Sequence, residues 1–194
     1  NKGYKEKYLV DTGLCIKNDA GKVYDRFKGR VMYPVFSISG KVVAFGGRTL
    51  RKDKDVAKYV NSPESLIYRK SYELYGLYQA KQAIVKKDKC ILVEGYMDVI
   101  AMHQAGFSNA VASLGTAFTG LQANLLKRYA DEILLLYDSD GAGTSAALRA
   151  LGILREAELV GKIIHLEPYK DPDEFIKNLG AEEFQKRIDE AENS

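Results

Sequence analysis

Two cysteines, Cys15 and Cys90, and two histidines, His103 and His165, are the only thiol and imidazole side chains in this 194-residue sequence. They are scattered, with no CxxC pair and no histidine cluster, so the chain holds no zinc-ligand pattern and no histidine-based catalytic triad. The expectation is reduced thiols, with Cys90 opening an apolar core strand and the histidines acting as packing residues. No apolar run approaches the ~18 to 20 residues of a membrane span, and residues 1–7 are polar and charged where a secretion signal would be apolar. A cytoplasmic chain without a membrane partner is expected. There is no GxxxxGK[ST], which removes a P-loop. The string DSDGAG is not an EF-hand, because Ala142 stands at the third ligand position and Arg149 where the closing Glu belongs. The chain opens on Asn1, not Met, and is read as a piece of a longer protein.

With 46% hydrophobic residues the chain can bury a real core, as one large domain or two small ones. Its net charge of +3 conceals an uneven distribution. Residues 1–89 carry 20 Lys+Arg against 9 Asp+Glu, and residues 90–194 carry 9 against 17, so the parts stand at +11 and −8. A basic part suits a polyanion, and an acidic part can gather carboxylates around divalent metal; a nucleotidyl-transfer enzyme needs both. Two solvated faces of opposite sign would give the same totals.

The basic part reads as mixed α/β. Residues 30–48, RVMYPVFSISGKVVAFGGR, give two β-rich runs around a Ser39-Gly40-Lys41 turn, and Gly46-Gly47 permits a close backbone approach. Asn61-Ser62-Pro63 should break regular structure, and residues 74–86 have helical spacing. From Lys89 the pattern becomes alternating strand and helix. Apolar runs at residues 90–93, 110–114, 133–137 and 162–166 are each followed by a helical stretch, which implies a buried parallel sheet. Thr119 to Gln122 fits a capping box, and Gly106 sits where a helix C-terminal cap belongs.

In open parallel sheets ligands bind beyond the carboxyl ends of the strands. The residues there are acidic. The first run ends in Glu94-Gly95, with Asp98 about a turn further on; the third ends in Asp138 and Asp140; Asp171 and Asp173 follow the fourth. Taken alone, an Asp-x-Asp before a helix is ordinarily a turn plus an N-cap, and a Glu at a strand end is ordinarily solvated. Acids after three strands of one sheet, however, converge by topology. Crowded carboxylates call for a cation, and hard oxygen ligands suit Mg²⁺ or Mn²⁺. Gly141 and Gly143 allow a tight turn into the next helix.

Glu94-Gly95 after a strand, followed by Asp138-x-Asp140-x-x-Gly143, resembles the TOPRIM fold of primases, topoisomerases, some nucleases and recombination proteins. The longer strings EGYMDVIAMHQAG, ASLGTAFT, KYVNSPES, LYGLYQAK and RVMYPVFSISGKVVAFGGR are similar to the bacterial replicative primase core. The match runs from about residue 25 to residue 175. It implies an α/β fold: a basic N-terminal subdomain over residues 1–87, a TOPRIM subdomain over 88–178, and the beginning of a helical subdomain over 179–194. It implies metal-dependent synthesis of short RNA primers from ribonucleoside triphosphates on single-stranded DNA, giving an RNA–DNA product. Glu94 would be a metal ligand or manage the proton of the attacking 3′-hydroxyl. Asp138 and Asp140 would hold more than one Mg²⁺ or Mn²⁺ ion, with Asp98, Asp171 and Asp173 completing the site. Arg48, Lys58, Asn61 and Lys70 would contact nucleotide phosphates or nucleic acid. The family's zinc-binding domain and helicase-binding domain lie outside this sequence, so the fragment is expected to be a zinc-free monomer that meets the replicative helicase only through the longer protein. Many relatives carry Gly and a larger residue where Ser139 and Gly141 stand, a departure that bears on loop stiffness. Strand cleavage of the topoisomerase or nuclease kind, and a non-catalytic DNA-binding module, are the alternatives.

Overall fold

The structure is a computed structural model that describes residues 2–52 and 55–192. The chain divides into two compact units, Asn1–Lys70 and Ser71–Ser194. The first consists of short elements: α1 (Glu6–Asp11), β1 (Cys15–Lys17), β2 (Val23–Asp25), β3 (Arg30–Phe36), β4 (Val42–Thr49) and β5 (Tyr59–Asn61). β1 and β2 form a small antiparallel pair. The hairpin expected over residues 30–48 is present, with Tyr33 opposite Gly46. Its turn closes through a Gly40 N–H donated to the Ser37 carbonyl at 2.9 Å, and Gly40 takes φ +82°, which suits a residue without Cβ. β5 pairs with the other side of β4, setting Arg48 opposite Tyr59 and Gly46 opposite Asn61. The close approach at Gly47 is internal. A methyl group there would lie 2.8 Å from the buried Phe27 ring and 3.0 Å from Arg30 Cδ. Arg30 Nη1 in turn donates to the carbonyls of Gly47, Ala57 and Lys58.

The second unit contains α2 (Leu77–Lys87), β6 (Lys89–Val93), α3 (Tyr96–Gln104), β7 (Ala110–Ala112), α4 (Gly120–Leu126), β8 (Glu132–Leu135), α5 (Gly141–Glu156), β9 (Val160–Ile163) and α6 (Pro172–Glu192). Its sheet runs β7-β6-β8-β9 with every pairing parallel, as the alternating pattern implied. Ile91, Leu92, Val93, Val111, Ile133, Leu134 and Leu135 are all buried, the condition of a sheet covered on both faces. Thr119 forms the expected capping box: its hydroxyl accepts the Gln122 N–H, and Gln122 Oε1 accepts the Thr119 N–H, both at 3.1 Å. Gly106, at φ +95°, donates its N–H to the His103 carbonyl and ends α3.

Three stretches depart from the expectation. The helix expected from residue 74 begins at Leu77, because Tyr75 exchanges two backbone hydrogen bonds with Ala112 and Gly76, at φ +82°, makes the turn. The last strand lies earlier than residues 162–166, since Val160 N–H bonds the Asp131 carbonyl and starts the ladder there; the buried Leu166 belongs to the following loop. His165 is solvent-exposed beside Glu167, at 3.8 Å, and does not pack; His103 does, with Nε2 2.9 Å from the Ala110 carbonyl. Cys90 is fully buried, and burial pushes its thiol pKa up.

The second compact unit starts at Ser71, ahead of residue 88, because α2 packs on β6 and β7. α6 breaks at Gly180. Beyond the break, Phe184 meets Phe107 and Phe175 edge-on at 4.8 and 5.7 Å, so residues 181–192 share the core of this unit. Among the described residues, no helix is long and apolar enough to cross a membrane.

Candidate active site

The two central strands, β6 and β8, pair in register, with Leu92 opposite Leu135, and the connections from them lead to opposite edges of the sheet. This is the topological switch point, where an open sheet leaves a crevice beyond the strand ends. Leu136 N–H continues the ladder to the Leu92 carbonyl at 2.9 Å, and one step further Asp138 N–H donates to Glu94 Oε1 at 3.0 Å. Residues far apart in sequence are thus joined at the strand tips.

The neighbouring acids are each anchored by a backbone amide. Asp98, in the first turn of α3, accepts the Gly95 N–H at 3.0 Å. Asp140 is the N-cap of α5, accepting the Gly143 N–H at 2.8 Å. Asp171 caps α6, accepting the Glu174 N–H at 2.9 Å. The plain capping role of an Asp-x-Asp before a helix is therefore filled by Asp140. Each of these carboxylates, and Glu94 with them, commits one oxygen to an amide and has a second. The loop between β8 and α5 is also tied to residues 169–170: Ser139 N–H donates to the Lys170 carbonyl, and Ser139 Oγ to the Tyr169 carbonyl at 2.7 Å. Ser139 thus stiffens the turn through its hydroxyl.

The acids repel one another. Burial pushes the Asp98 carboxyl up to about 7, aided by Asp138, Asp171 and Glu94 and opposed by the Gly95 amide. Burial also lifts Asp138 to about 6, with Glu94, Asp171 and Asp140 adding to the shift and Lys170 opposing it. Asp138 is therefore within electrostatic reach of Glu94, Asp98, Asp140 and Asp171. Asp173 pairs with Lys177 one turn along α6. Lys170 faces this cluster without having been singled out from sequence, since a lysine in a loop carries no pattern of its own.

The sign of the resulting pH dependence follows from linkage. Both pKa values are raised over the ordinary carboxylate range, so the stability tied to the protonated forms is complete below about pH 4 and lost as pH climbs through about 6 for Asp138 and about 7 for Asp98. In metal-free buffer the wild-type protein should lose more melting temperature between about pH 5 and pH 8 than Asp98→Asn does. Parallel melting curves for the two proteins would contradict this.

Gly143 sets how closely α5 approaches Asp138. A methyl group there would sit 2.0 Å from the Asp138 carbonyl oxygen and 2.9 Å from its carbon, against backbone that cannot rotate away. Gly143→Ala should therefore displace the Asp138 loop and lower the melting temperature by about 5 °C, the response of a chain of this size to ~2 kcal/mol of overpacking. Thermal melts against the exposed control Gly152→Ala, where a methyl group meets open space, isolate the effect.

In the other unit, Arg48, Lys58 and Asn61 lie together on the β4–β5 ladder, and the Arg48 and Lys58 charges both approach the Tyr59 ring, at 5.8 and 5.9 Å. Lys70 is the last residue of this unit, in the loop that follows β5, its N–H held by Glu64.

Residues 1–81 match the family model described as DNA primase catalytic core, N-terminal domain, and residues 91–176 match the one described as Toprim-like. The chain is 49% identical over 191 residues to a DNA primase of Clostridium acetobutylicum, covering 98% of this chain and 31% of that one. Its fold superimposes on the Aquifex aeolicus primase zinc-binding and RNA polymerase domains with a TM-score of 0.89 at 39% identity, covering 95% of this chain and 46% of that one. A DnaG primase catalytic domain bound to ssDNA gives a TM-score of 0.88 at 40% identity, covering 97% and 62%. The chain thus spans about a third of the length of the curated relatives it matches.

Toprim domains bind divalent metal. The donor set here fits one chemically: it is all carboxylate, and burial together with repulsion from the neighbouring acids raises Asp98 and Asp138 above the ordinary carboxylate range. Among the described residues, no three acidic, His or Cys side chains already stand as a closed cage, in keeping with oxygens turned to backbone amides.

Proposed function

The chain belongs to the bacterial DNA primase catalytic cores, and on that premise we propose that its acidic site joins ribonucleotides into short RNA primers on single-stranded DNA at the replication fork, in the cytoplasm. The observation that carries this reading is the meeting of Glu94 and Asp138 at the switch point, inside a group of carboxylates that repel one another. The reaction class needs such a place. A 3′-hydroxyl oxygen attacks the α-phosphorus of a ribonucleoside triphosphate, the bond to the β-phosphate oxygen breaks, pyrophosphate leaves, and the hydroxyl proton must be taken up.

Asp138, Asp140 and Glu94 would hold Mg²⁺ or Mn²⁺, more than one ion, with Asp98 and Asp171 beside them. Bound metal supplies the positive charge that attacking and leaving oxygens require. Asp173, paired with Lys177, would join only by leaving that partner. Glu94 is exposed at the strand tip, where it can accept the hydroxyl proton or ligate an ion. The Ser139 tether and the Gly143 contact hold Asp138 in place for either role. Arg48, Lys58, Asn61 and Lys70 would bind template or triphosphate phosphates, with Tyr59 offering a ring face beside two of the charges. Template, ribonucleoside triphosphates and an RNA–DNA hybrid are then the partners of this piece, as a monomer, and the replicative helicase is a partner of the longer protein.

The basic residues can be tested apart from the chemistry. Lys58→Ala with Lys70→Ala should weaken single-stranded DNA binding and reduce the slope of log K against log salt by about 1 to 1.5, as two phosphate contacts are lost. Mn²⁺ affinity should be unchanged. An unaltered slope across a salt series would remove both lysines from the binding surface.

A further inference from the structure

We propose that Arg149 is a phosphate-binding residue, holding a nucleotide phosphate in the cleft next to Glu94. This deepens the primase reading and rests on it. The cleft, about 550 Å³, lies within the second unit, a size suited to a nucleotide. Glu94 and Asp140 stand on its wall, so it opens directly onto the acidic site. Its other lining is of a different kind. Ala142, Ala146 and Ala150 on α5 leave space by their small size, Ile153 and Phe118 give apolar surface, and Ser113 and Thr116 add hydroxyls.

Arg149 is the one cation lining this space among the described residues. It forms no ion pair or hydrogen bond with any described residue, although two carboxylates share the cleft. Nor does its own helix offer a surface partner. The positions three and four residues away are Ser145, Ala146, Gly152 and Ile153, and none is acidic. A guanidinium without a carboxylate partner, in a cleft lined also by small, apolar and hydroxyl side chains, matches a ligand that is anionic at one point and flat and apolar elsewhere. Nucleotides are such ligands, and guanidinium binds phosphate oxygens in bidentate fashion.

Two sources of phosphate fit: the phosphodiester of the strand that carries the attacking 3′-hydroxyl, and the triphosphate of the incoming nucleotide. The first is favoured, because Glu94, the group proposed to meet that hydroxyl, lines the same cleft. Binding of two probes, each in Mn²⁺ across a salt series, separates them: a short RNA–DNA hybrid with a recessed RNA 3′-hydroxyl, and ATP. Arg149→Ala should weaken the hybrid about tenfold and lower its salt slope by about 1, while ATP affinity holds. Arg149→Lys should keep most of the slope. Arg149 is exposed and Ala is a good helix former, so melting temperature should not move. Weakened ATP with unchanged hybrid would keep the phosphate role and assign it to the triphosphate. Wild-type and Arg149→Ala proteins that bind both probes equally would overturn the proposal. A wild-type protein that binds neither probe would instead sink the primase reading itself, and this inference with it.

Discussion

Glu94→Gln should reduce primer synthesis at least ~100-fold, the usual scale for removing a general acid–base group, while leaving fold and template binding intact. Glu94 lies just beyond β6 and is exposed, so no packing depends on its charge. Its Oε1 accepts the Asp138 N–H at 3.0 Å, and a glutamine oxygen can accept the same bond. The side chains are nearly isosteric. What disappears is one negative charge and the capacity to hold a proton or an ion, and both are needed when a hydroxyl attacks a phosphorus. An assay of primer synthesis beside a thermal melt reads both halves of the prediction. A Glu94→Gln protein that makes primers nearly as fast as wild type would take Glu94 out of the chemistry.

Asp138→Asn should act on two quantities in opposite directions. Mn²⁺ affinity should fall at least about tenfold through loss of a charged ligand. Metal-free stability should rise, because burial, Glu94 and Asp171 all hold the Asp138 carboxyl above its ordinary range. The gain should be about 2 to 4 °C, the response to ~1 kcal/mol in a chain of this size, a figure reduced for solvent screening of a half-exposed group. Asp140→Asn should behave differently. Asp140 caps α5 through the Gly143 N–H, and Asn caps as well as Asp, so its melting temperature should hold while metal affinity falls.

Much of this arrangement was legible in the residue pattern. Alternation of apolar runs with helical stretches implied the parallel sheet, and topology then sent Glu94, Asp138 and Asp171 to the same side of it. Thr119 and Gly106 marked helix ends through side-chain and backbone rules that act over a few residues. Strand limits were less legible: apolar residues continue past the ladder at Leu166, and burial alone does not say where backbone pairing stops. The start of α2 was hidden because Tyr75 is claimed by Ala112, a partner far along the chain. The same holds at the site. Gly143 reads as a turn glycine, yet its decisive neighbour is the Asp138 backbone; Ser139 reads as a matter of loop stiffness, and the tie that stiffens the loop is to Tyr169, a partner no local pattern names. Asp173 had the right residue type after the right strand, but the helix offers Lys177 one turn away. Arg149 entered the sequence reading only as a residue that was not a glutamate. Its significance comes from the cleft it lines, which no spacing rule encodes.

The central claim, that the carboxylates at the β6 and β8 tips form one metal site, is tested most directly by thermal melts of wild type and Asp138→Asn with and without Mn²⁺. The account predicts that Asp138→Asn melts higher than wild type in metal-free buffer and gains less on adding Mn²⁺, so that the order of the two proteins narrows or reverses. An Asp138→Asn protein that melts lower without metal, and is stabilised by Mn²⁺ as much as wild type, would contradict it.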